Sequence, residues 1–299
     1  MLRQYLLLIR LPNTFTIPSN ILTGYFAIIA PAYAHSLQLF VLILSSILIY
    51  IAGIVFNDFF DIEIDLKERP YRPLPAGTIS KQKALVIAML SLVSANILAF
   101  AVNWSSFVIS AILSATVISY DYRLKNTAIG PITMGAARVL NVFLGASPAL
   151  FVLLADNNNN NFFVRIIFVS LSMFLYVLAI SLLSRKEING MQTGRTIIGS
   201  FFIVFAVIAS ITFAGFLGVF KMEFFSNLIL FAGIMTITFK QTKSRNCSLA
   251  IQKAIKNMVI SIIVLDSVFI SGSIGLYYGL ATLLLIIPSV IFSRKLYVT

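Results

Sequence analysis

Long apolar runs separated by short polar stretches fill almost the whole chain. A run of about 20 apolar residues crosses the roughly 30 Å hydrocarbon core of a bilayer. By that measure the pattern predicts ten spans, near residues 15–34, 38–56, 83–102, 104–120, 131–154, 162–184, 196–219, 223–240, 256–272 and 275–293. The expected fold is an all-α, polytopic transmembrane helical bundle of nine to ten spans, a single integral membrane domain over residues 1–299. Pro12, Asn13, Pro18, Ser19 and Asn20 interrupt the first run, which therefore does not read as a cleaved signal peptide and is expected to stay as the first helix.

Composition agrees, with 59% hydrophobic and 11% charged residues, the profile of a membrane protein rather than a soluble domain. The net charge of +12 is mostly a topology signal. All of the 22 Lys and Arg except Arg138, Arg165 and Lys221 fall before the first run or after the second, fourth, sixth, eighth and tenth. The positive-inside rule then places both termini in the cytoplasm, and a bacterial inner membrane is the expected location. Attraction to anionic headgroups or to a diphosphate is a second use for the charge. Nucleic acid is not an expected partner, since no basic module interleaved with aromatics is present. Cys247 is the only cysteine and His35 the only histidine, so a disulfide within the chain is excluded and any metal must be held by oxygen.

Against this background the polar stretches stand out. Half of the ten Asp and Glu lie close together at the end of the second run, as Asp58, Asp61, Glu63, Asp65 and Glu68. On a helix, Asn57, Asp61 and Asp65 recur every fourth residue and form a ladder of oxygen ligands about 12 Å long. Carboxylates this close repel unless a cation sits among them, and hard oxygen ligands suit Mg²⁺ bridging to a phosphate-bearing substrate. Arg69 and Arg72 follow directly. Tyr120, Asp121, Arg123 and Lys125 end the fourth run on the same membrane face, and Arg138 and Asn141 sit at helical spacing beside small residues in the fifth. Each group also has a plainer reading: an interfacial anchor belt for the first, inter-helix hydrogen bonds for the second. Asp266, in the ninth run, is costly there unless paired, and the sequence does not name its partner. The Asn-rich tract 156–161 reads as a solvated loop.

These residues, in this order, resemble the UbiA superfamily of intramembrane prenyltransferases. Asn57-Asp58-Phe59-Phe60-Asp61-Ile62-Glu63-Ile64-Asp65 has the NDxxDxxxD form, and Arg69-Pro70-Tyr71-Arg72-Pro73-Leu74-Pro75-Ala76-Gly77 is similar to the RPxRPxPxG loop. The opening Arg10-Leu11-Pro12-Asn13-Thr14 also looks like the start of the family. Within the superfamily, Phe56-Asn57-Asp58 with Glu68-Arg69-Pro70, the stretch Met134 to Asn141, Ser184-Arg185-Lys186-Glu187 and the ending Ser293 to Thr299 look most like the UbiA-like proteins called EboC.

The resemblance implies transfer of an isoprenyl group from a polyprenyl diphosphate to an acceptor that the sequence does not identify, with Mg²⁺ as cofactor and membrane lipid as surroundings. By carry-over, Asn57, Asp58, Asp61 and Asp65 are the metal-site residues. Arg69, Arg72, Asp121 and Lys125 are expected in catalysis, where cations neutralise charge developing on the leaving group. Asn13, Tyr120, Arg138, Asn141, Arg185 and Lys186 are expected to bind substrate. One departure stands out: where the family has a second aspartate motif, Leu182 and Lys186 occupy the carboxylate positions. Either Arg185 and Lys186 replace a second metal and grip the diphosphate directly, or activity is lost. The competing reading is accordingly a non-catalytic isoprenoid- or lipid-binding component of a membrane export pathway.

Overall fold

The computed structural model describes residues 2–28, 36–149, 160–188, 194–245 and 248–296, and among these there are helices and turns but no strand. The chain begins with short helices α1 (Leu2–Leu8), α2 (Leu11–Thr14) and α3 (Thr16–Thr23), the last running into a π-helical turn over Gly24–Ile28. There follow α4 (Ser36–Phe60), α5 (Ile62–Glu68), α6 (Lys81–Val102), α7 (Trp104–Tyr122) and α8 (Gly130–Ala146). The second half consists of α9 (Asn160–Ile188), α10 (Gly194–Phe216), α11 (Phe224–Arg245), α12 (Ser248–Ile274), α13 (Leu276–Leu283) and α14 (Ile286–Leu296). The protein is an all-helical integral membrane bundle.

Eight stretches among the described residues are long and apolar enough to cross a membrane: Ser36–Phe60, Lys81–Val102, Trp104–Tyr122, Phe163–Ser184, Arg195–Phe216, Phe224–Lys243, Ser248–Ile274 and Leu276–Ser293. The other two expected spans differ from uniform helices. In the first, buried Thr16, Ser19, Asn20 and Thr23 replace an apolar face, and the helix changes pitch at Gly24. In the fifth, the described helix is the 17-residue α8. These two elements pack unusually closely: a Cβ on Gly24 would meet the Val142 carbonyl, and one on Gly145 the carbonyl of Ile21. The last span is interrupted between α13 and α14. Of the Asn-rich tract 156–161, residues 156–159 lie outside the described residues, and Asn160 already belongs to α9.

Local signals set the helix boundaries near the acidic run. Ser80 caps α6, its hydroxyl accepting from the Lys83 N–H at 3.3 Å, and Asn103 caps α7, accepting from the Ser106 N–H at 2.7 Å. The proline-rich loop between α5 and α6 turns at Gly77, whose φ of 69° is the left-handed region glycine adopts without penalty. Buried Leu74 and Ile79 anchor this loop in a small apolar cluster with Val55, Phe56, Ala84 and Ala88. At the bundle centre, α12 is buried without interruption from Ser261 to Ser273 and packs on α3, α9, α11 and α13. Asp266 is thereby sealed inside the protein.

Candidate functional site

The acidic run folds as the end of α4 and all of α5, with a turn at Asp61 between them. Asn57 and Asp61 lie one turn apart and converge on a single ammonium, with Lys125 Nζ donating to Asn57 Oδ1 at 3.1 Å and to Asp61 Oδ1 at 2.6 Å. Asp65 continues the fourfold spacing but is paired elsewhere. It is 2% exposed, and Arg72 Nη1 reaches its Oδ2 at 2.7 Å and Asp58 Oδ1 at 3.4 Å. Asp58 also accepts from Arg10 Nη2 at 2.6 Å. The expected single ladder is therefore split into an Asn57–Asp61–Lys125 group and an Asp58–Asp65–Arg72–Arg10 group, because the turn at Asp61 re-aims α5. No cluster of three or more His, Cys, Asp or Glu positioned for a metal occurs among the described residues.

Beside this cluster lies a cavity of ≈ 300 Å³ between the α3, α4, α7 and α8 helices. Ser46, Tyr50, Gly53 and Asn57 line it from one face of α4, Tyr120 and Asp121 from the last turn of α7, Arg138 and Asn141 from α8, and Arg10 from the α1–α2 junction. Its remaining wall is apolar, with Ile17, Ile49, Leu113, Val117 and Met134 among the lining residues. Gly53 keeps α4 and α7 close, since a Cβ there would meet Val117 Cγ1 at 2.5 Å and lie 3.6 Å from Asp121 Oδ2. Asp121 is only 5% exposed. A second, wholly different depression of ≈ 420 Å³ on α6 and α7 is lined by Leu92, Val93, Asn96, Ile97, Phe100, Trp104 and Phe107. It holds no ionisable group, unlike the first cavity.

The sequence-predicted residues divide clearly. Asn57, Tyr120, Asp121, Arg138 and Asn141 line the cavity. Asp58, Asp61, Asp65, Arg72 and Lys125 stand behind it, joined to its wall through Asn57 and Arg10. Arg69 is set apart, 43% exposed and 3.9 Å from Asp65 Oδ1, too far for a hydrogen bond. Asn13 does not line the cavity: its carbonyl accepts from the Thr16 hydroxyl at 2.8 Å, which holds the α2–α3 corner. Arg185 and Lys186 lie on α9, and their side chains are outside the described residues.

Several contributors escape sequence reading. Arg10 occupies left-handed backbone, with φ 45° and ψ 53°, a costly conformation for a residue other than glycine. Withdrawal from water opposes its charge, but Asp58, Tyr50 and the hydrogen bond to Asp58 outweigh that, holding the guanidinium above its ordinary pKa and always cationic. Ser46 and Tyr50 share the face of α4 that carries Asn57, a spacing visible in the sequence. Asp266 finds its partners in α3: Oδ2 accepts from Asn20 Nδ2 at 2.8 Å and Oδ1 from Thr23 Oγ1 at 2.7 Å. Asn20 Oδ1 in turn accepts from Arg138 Nη1 at 2.8 Å, so a buried carboxylate is linked through one amide to a cavity cation.

The described helices form a membrane bundle with a cavity beside paired acidic and basic side chains. Residues 19–260 match the UbiA prenyltransferase family, and the chain belongs to that family. Among curated relatives, digeranylgeranylglyceryl phosphate synthase of Saccharolobus solfataricus is 27% identical over 208 residues, 66% of this chain and 70% of that protein. The enzyme of the same name from Pyrococcus furiosus is 38% identical over 91 residues, 30% of this chain and 33% of its own. Two solved structures share the fold. A UbiA homolog from Aeropyrum pernix superposes with a TM-score of 0.70 at 13% identity, over 86% of this chain and 96% of that one. A UbiA homolog from Archaeoglobus fulgidus bound to DMAPP and Mg²⁺ gives 0.67 at 16% identity, over 94% and 99% of the two chains.

Proposed function

We propose that this protein transfers a prenyl group from a prenyl diphosphate to an acceptor held in the cavity between α4, α7 and α8. The observation that carries the reading is the convergence of Asn57 and Asp61 oxygens on one cation beside a cavity whose wall combines apolar side chains with Arg10, Asp121 and Arg138. The relatives' names and the DMAPP and Mg²⁺ bound to a homolog point the same way. The donor set fits Mg²⁺, which is commonly held by one or two side-chain oxygens plus substrate phosphates. Asn57, Asp61 and Asp65, at fourfold spacing with Asp58 beside them, would hold it, and the cations now paired with these carboxylates, Lys125, Arg72 and Arg10, would turn to the diphosphate. The chemistry supplied by the bound ion is neutralisation of charge on the departing diphosphate.

The chain's own residues account for the remaining steps. Arg10, Arg72 and Lys125 gather positive charge where the diphosphate oxygens take up the bonding pair as the allylic C–O bond breaks. The apolar wall keeps water from the allylic carbon. The acceptor's lone pair forms the new bond, and the displaced acceptor proton moves to the carboxylate of Asp121, the one acidic side chain in the cavity lining. Arg185 and Lys186 would add cations in place of a second acidic motif. We further propose that residues 1–299 act as one domain in a bacterial inner membrane with both termini cytoplasmic, on the evidence of the charge alternation. A place near the EboC-like proteins rests on the sequence details given above. Purified protein with Mg²⁺ and labelled prenyl diphosphates of graded length should release diphosphate in the presence of a membrane extract. Binding without release under every condition rejects the enzyme.

A further inference from the structure

Arg165 and Lys221, which stand apart from the charge groups that follow alternate spans, share one corner of the bundle, at the end remote from the acidic run. α3 leads away from Arg10 and Asp58. Its Asn20 and Thr23 bond Asp266, and the Ser273 hydroxyl donates to the Ala27 carbonyl at 3.5 Å, so α12 runs alongside α3 and reaches the far end at Gly272. There the Lys221 N–H donates to the Gly272 carbonyl at 2.7 Å. Arg165, near the start of α9, donates through Nε to the Val219 carbonyl at 3.0 Å. The α10–α11 loop is thus tied to two other helices, and buried Val219 and Phe220 anchor it in the core. Among the described residues no carboxylate lies within ion-pair distance of either cation. Glu223, in the same loop, lies toward Gly275, where a Cβ would come 3.4 Å from its Oε2. Arg165 is half-buried, and the remaining four of its five guanidinium N–H groups bond nothing among the described residues. Drawing a guanidinium out of water without an anion is costly. The corner also carries Phe213, Phe216, Leu217 and Met222, each 59% exposed or more. A soluble anion gains nothing from such a collar, whereas acyl chains do.

We propose that Arg165 and Lys221 hold the phosphate of an anionic phospholipid in the leaflet that meets this end of the bundle. The planar fork of Arg165 takes two phosphate oxygens, and Lys221 adds a second charge on a flexible stem. The exposed Phe, Leu and Met side chains lie against the acyl chains of the same lipid. The site is separate from the cavity and does not depend on prenyl transfer. Two cations less the Glu223 carboxylate leave one net positive charge, which favours an anionic over a zwitterionic lipid by about fivefold.

The test uses the full chain in bilayers of phosphatidylcholine with graded phosphatidylglycerol, one lipid at a time carrying brominated acyl chains that quench a nearby tryptophan. Trp104, the sole tryptophan, stands in the α6–α7 depression without ionisable groups and serves as the control. A second protein, with Trp104→Phe and Met222→Trp, reports on the corner. Its tryptophan should show a preference of about fivefold for phosphatidylglycerol, and Trp104 none. Lys221→Gln keeps the backbone bond to Gly272 and should bring the corner's preference to about one, as should Arg165→Gln. Because Arg165→Gln also disturbs the bond to Val219, Lys221→Gln decides the matter if the other variant does not fold. Equal quenching by the two lipids at the corner overturns the proposal, as does an equal preference at Trp104 or one that survives Lys221→Gln. A preference erased by excess inorganic phosphate overturns the phospholipid as occupant and leaves a site for a soluble anion.

Discussion

Replacing Asp266 with Ala removes a carboxylate that is 0% exposed and the hydrogen bonds it accepts from Asn20 Nδ2 and Thr23 Oγ1, the latter keeping only the Ser19 carbonyl. In membrane bundles a lost inter-helix hydrogen bond costs on the order of 0.6 kcal/mol, so the two bonds together account for about 1 kcal/mol. An electrostatic contribution adds to this. Asp266 and Arg138 form no direct ion pair and are linked only through Asn20, so the cost falls below the roughly 3–5 kcal/mol of breaking a buried pair. The expected loss for Asp266→Ala is therefore on the order of 2 kcal/mol, about half of it arising from Arg138. Sodium dodecyl sulfate unfolding of the purified protein, followed by circular dichroism, measures it. The decisive comparison is a double-mutant cycle with Arg138→Met: with the cation gone, Asp266→Ala should cost less by at least about 1 kcal/mol. Strictly additive losses would show that Asp266 merely caps α3 and does not steady the cavity arginine.

Three other outcomes follow from the geometry. Asp61→Ala should abolish Mg²⁺-dependent diphosphate binding with little effect on folding, whereas Asp65→Ala should also loosen the α5–α6 loop, because buried Asp65 holds Arg72; calorimetric binding and limited proteolysis of that loop separate the two. Gly145→Ala forces a methyl against the Ile21 carbonyl and should destabilise the bundle by about 1–3 kcal/mol in the same detergent-unfolding assay. A reporter active only outside the cytoplasm should be silent when fused after Lys83, Lys125 or Lys243 and active within residues 157–161; activity after Lys125 would overturn the proposed orientation.

The bundle was legible because a bilayer imposes one requirement, apolar length, on every span. The exceptions are physical. The first run carries Ser19, Asn20 and Thr23, whose hydroxyl and amide groups serve Asp266 and Arg138 rather than lipid, and those partners lie far away in the chain. The fourfold spacing shows Asn57 and Asp61 one turn apart, where they share Lys125, but not the turn at Asp61 or the bond from Arg72 to Asp65, which depend on residues farther along the chain. Arg10 resembled another topology charge because no local signal announces a left-handed arginine; only the packing of α2 under α4 brings it to Asp58. Arg138 and Asn141 were visible as polar residues in an apolar helix, but their bonding polarity depends on Ser46 and Asn20, which sequence alone does not attach to them.

That Asp58, Asp61 and Asp65 are each bonded to a cation of the same chain bears on the order in which ligands arrive. A metal-free site of bare carboxylates would repel itself and need the ion in order to fold. Here Arg10, Arg72 and Lys125 offset that repulsion from within the chain. On the proposed function, Mg²⁺ at Asp61 would compete with the Lys125 ammonium for that carboxylate. A Mg²⁺–diphosphate complex brings its own anion for that ammonium to turn to. If the proposed prenyl transfer holds, this pairing would favour substrate and ion entering together over a free divalent ion binding first.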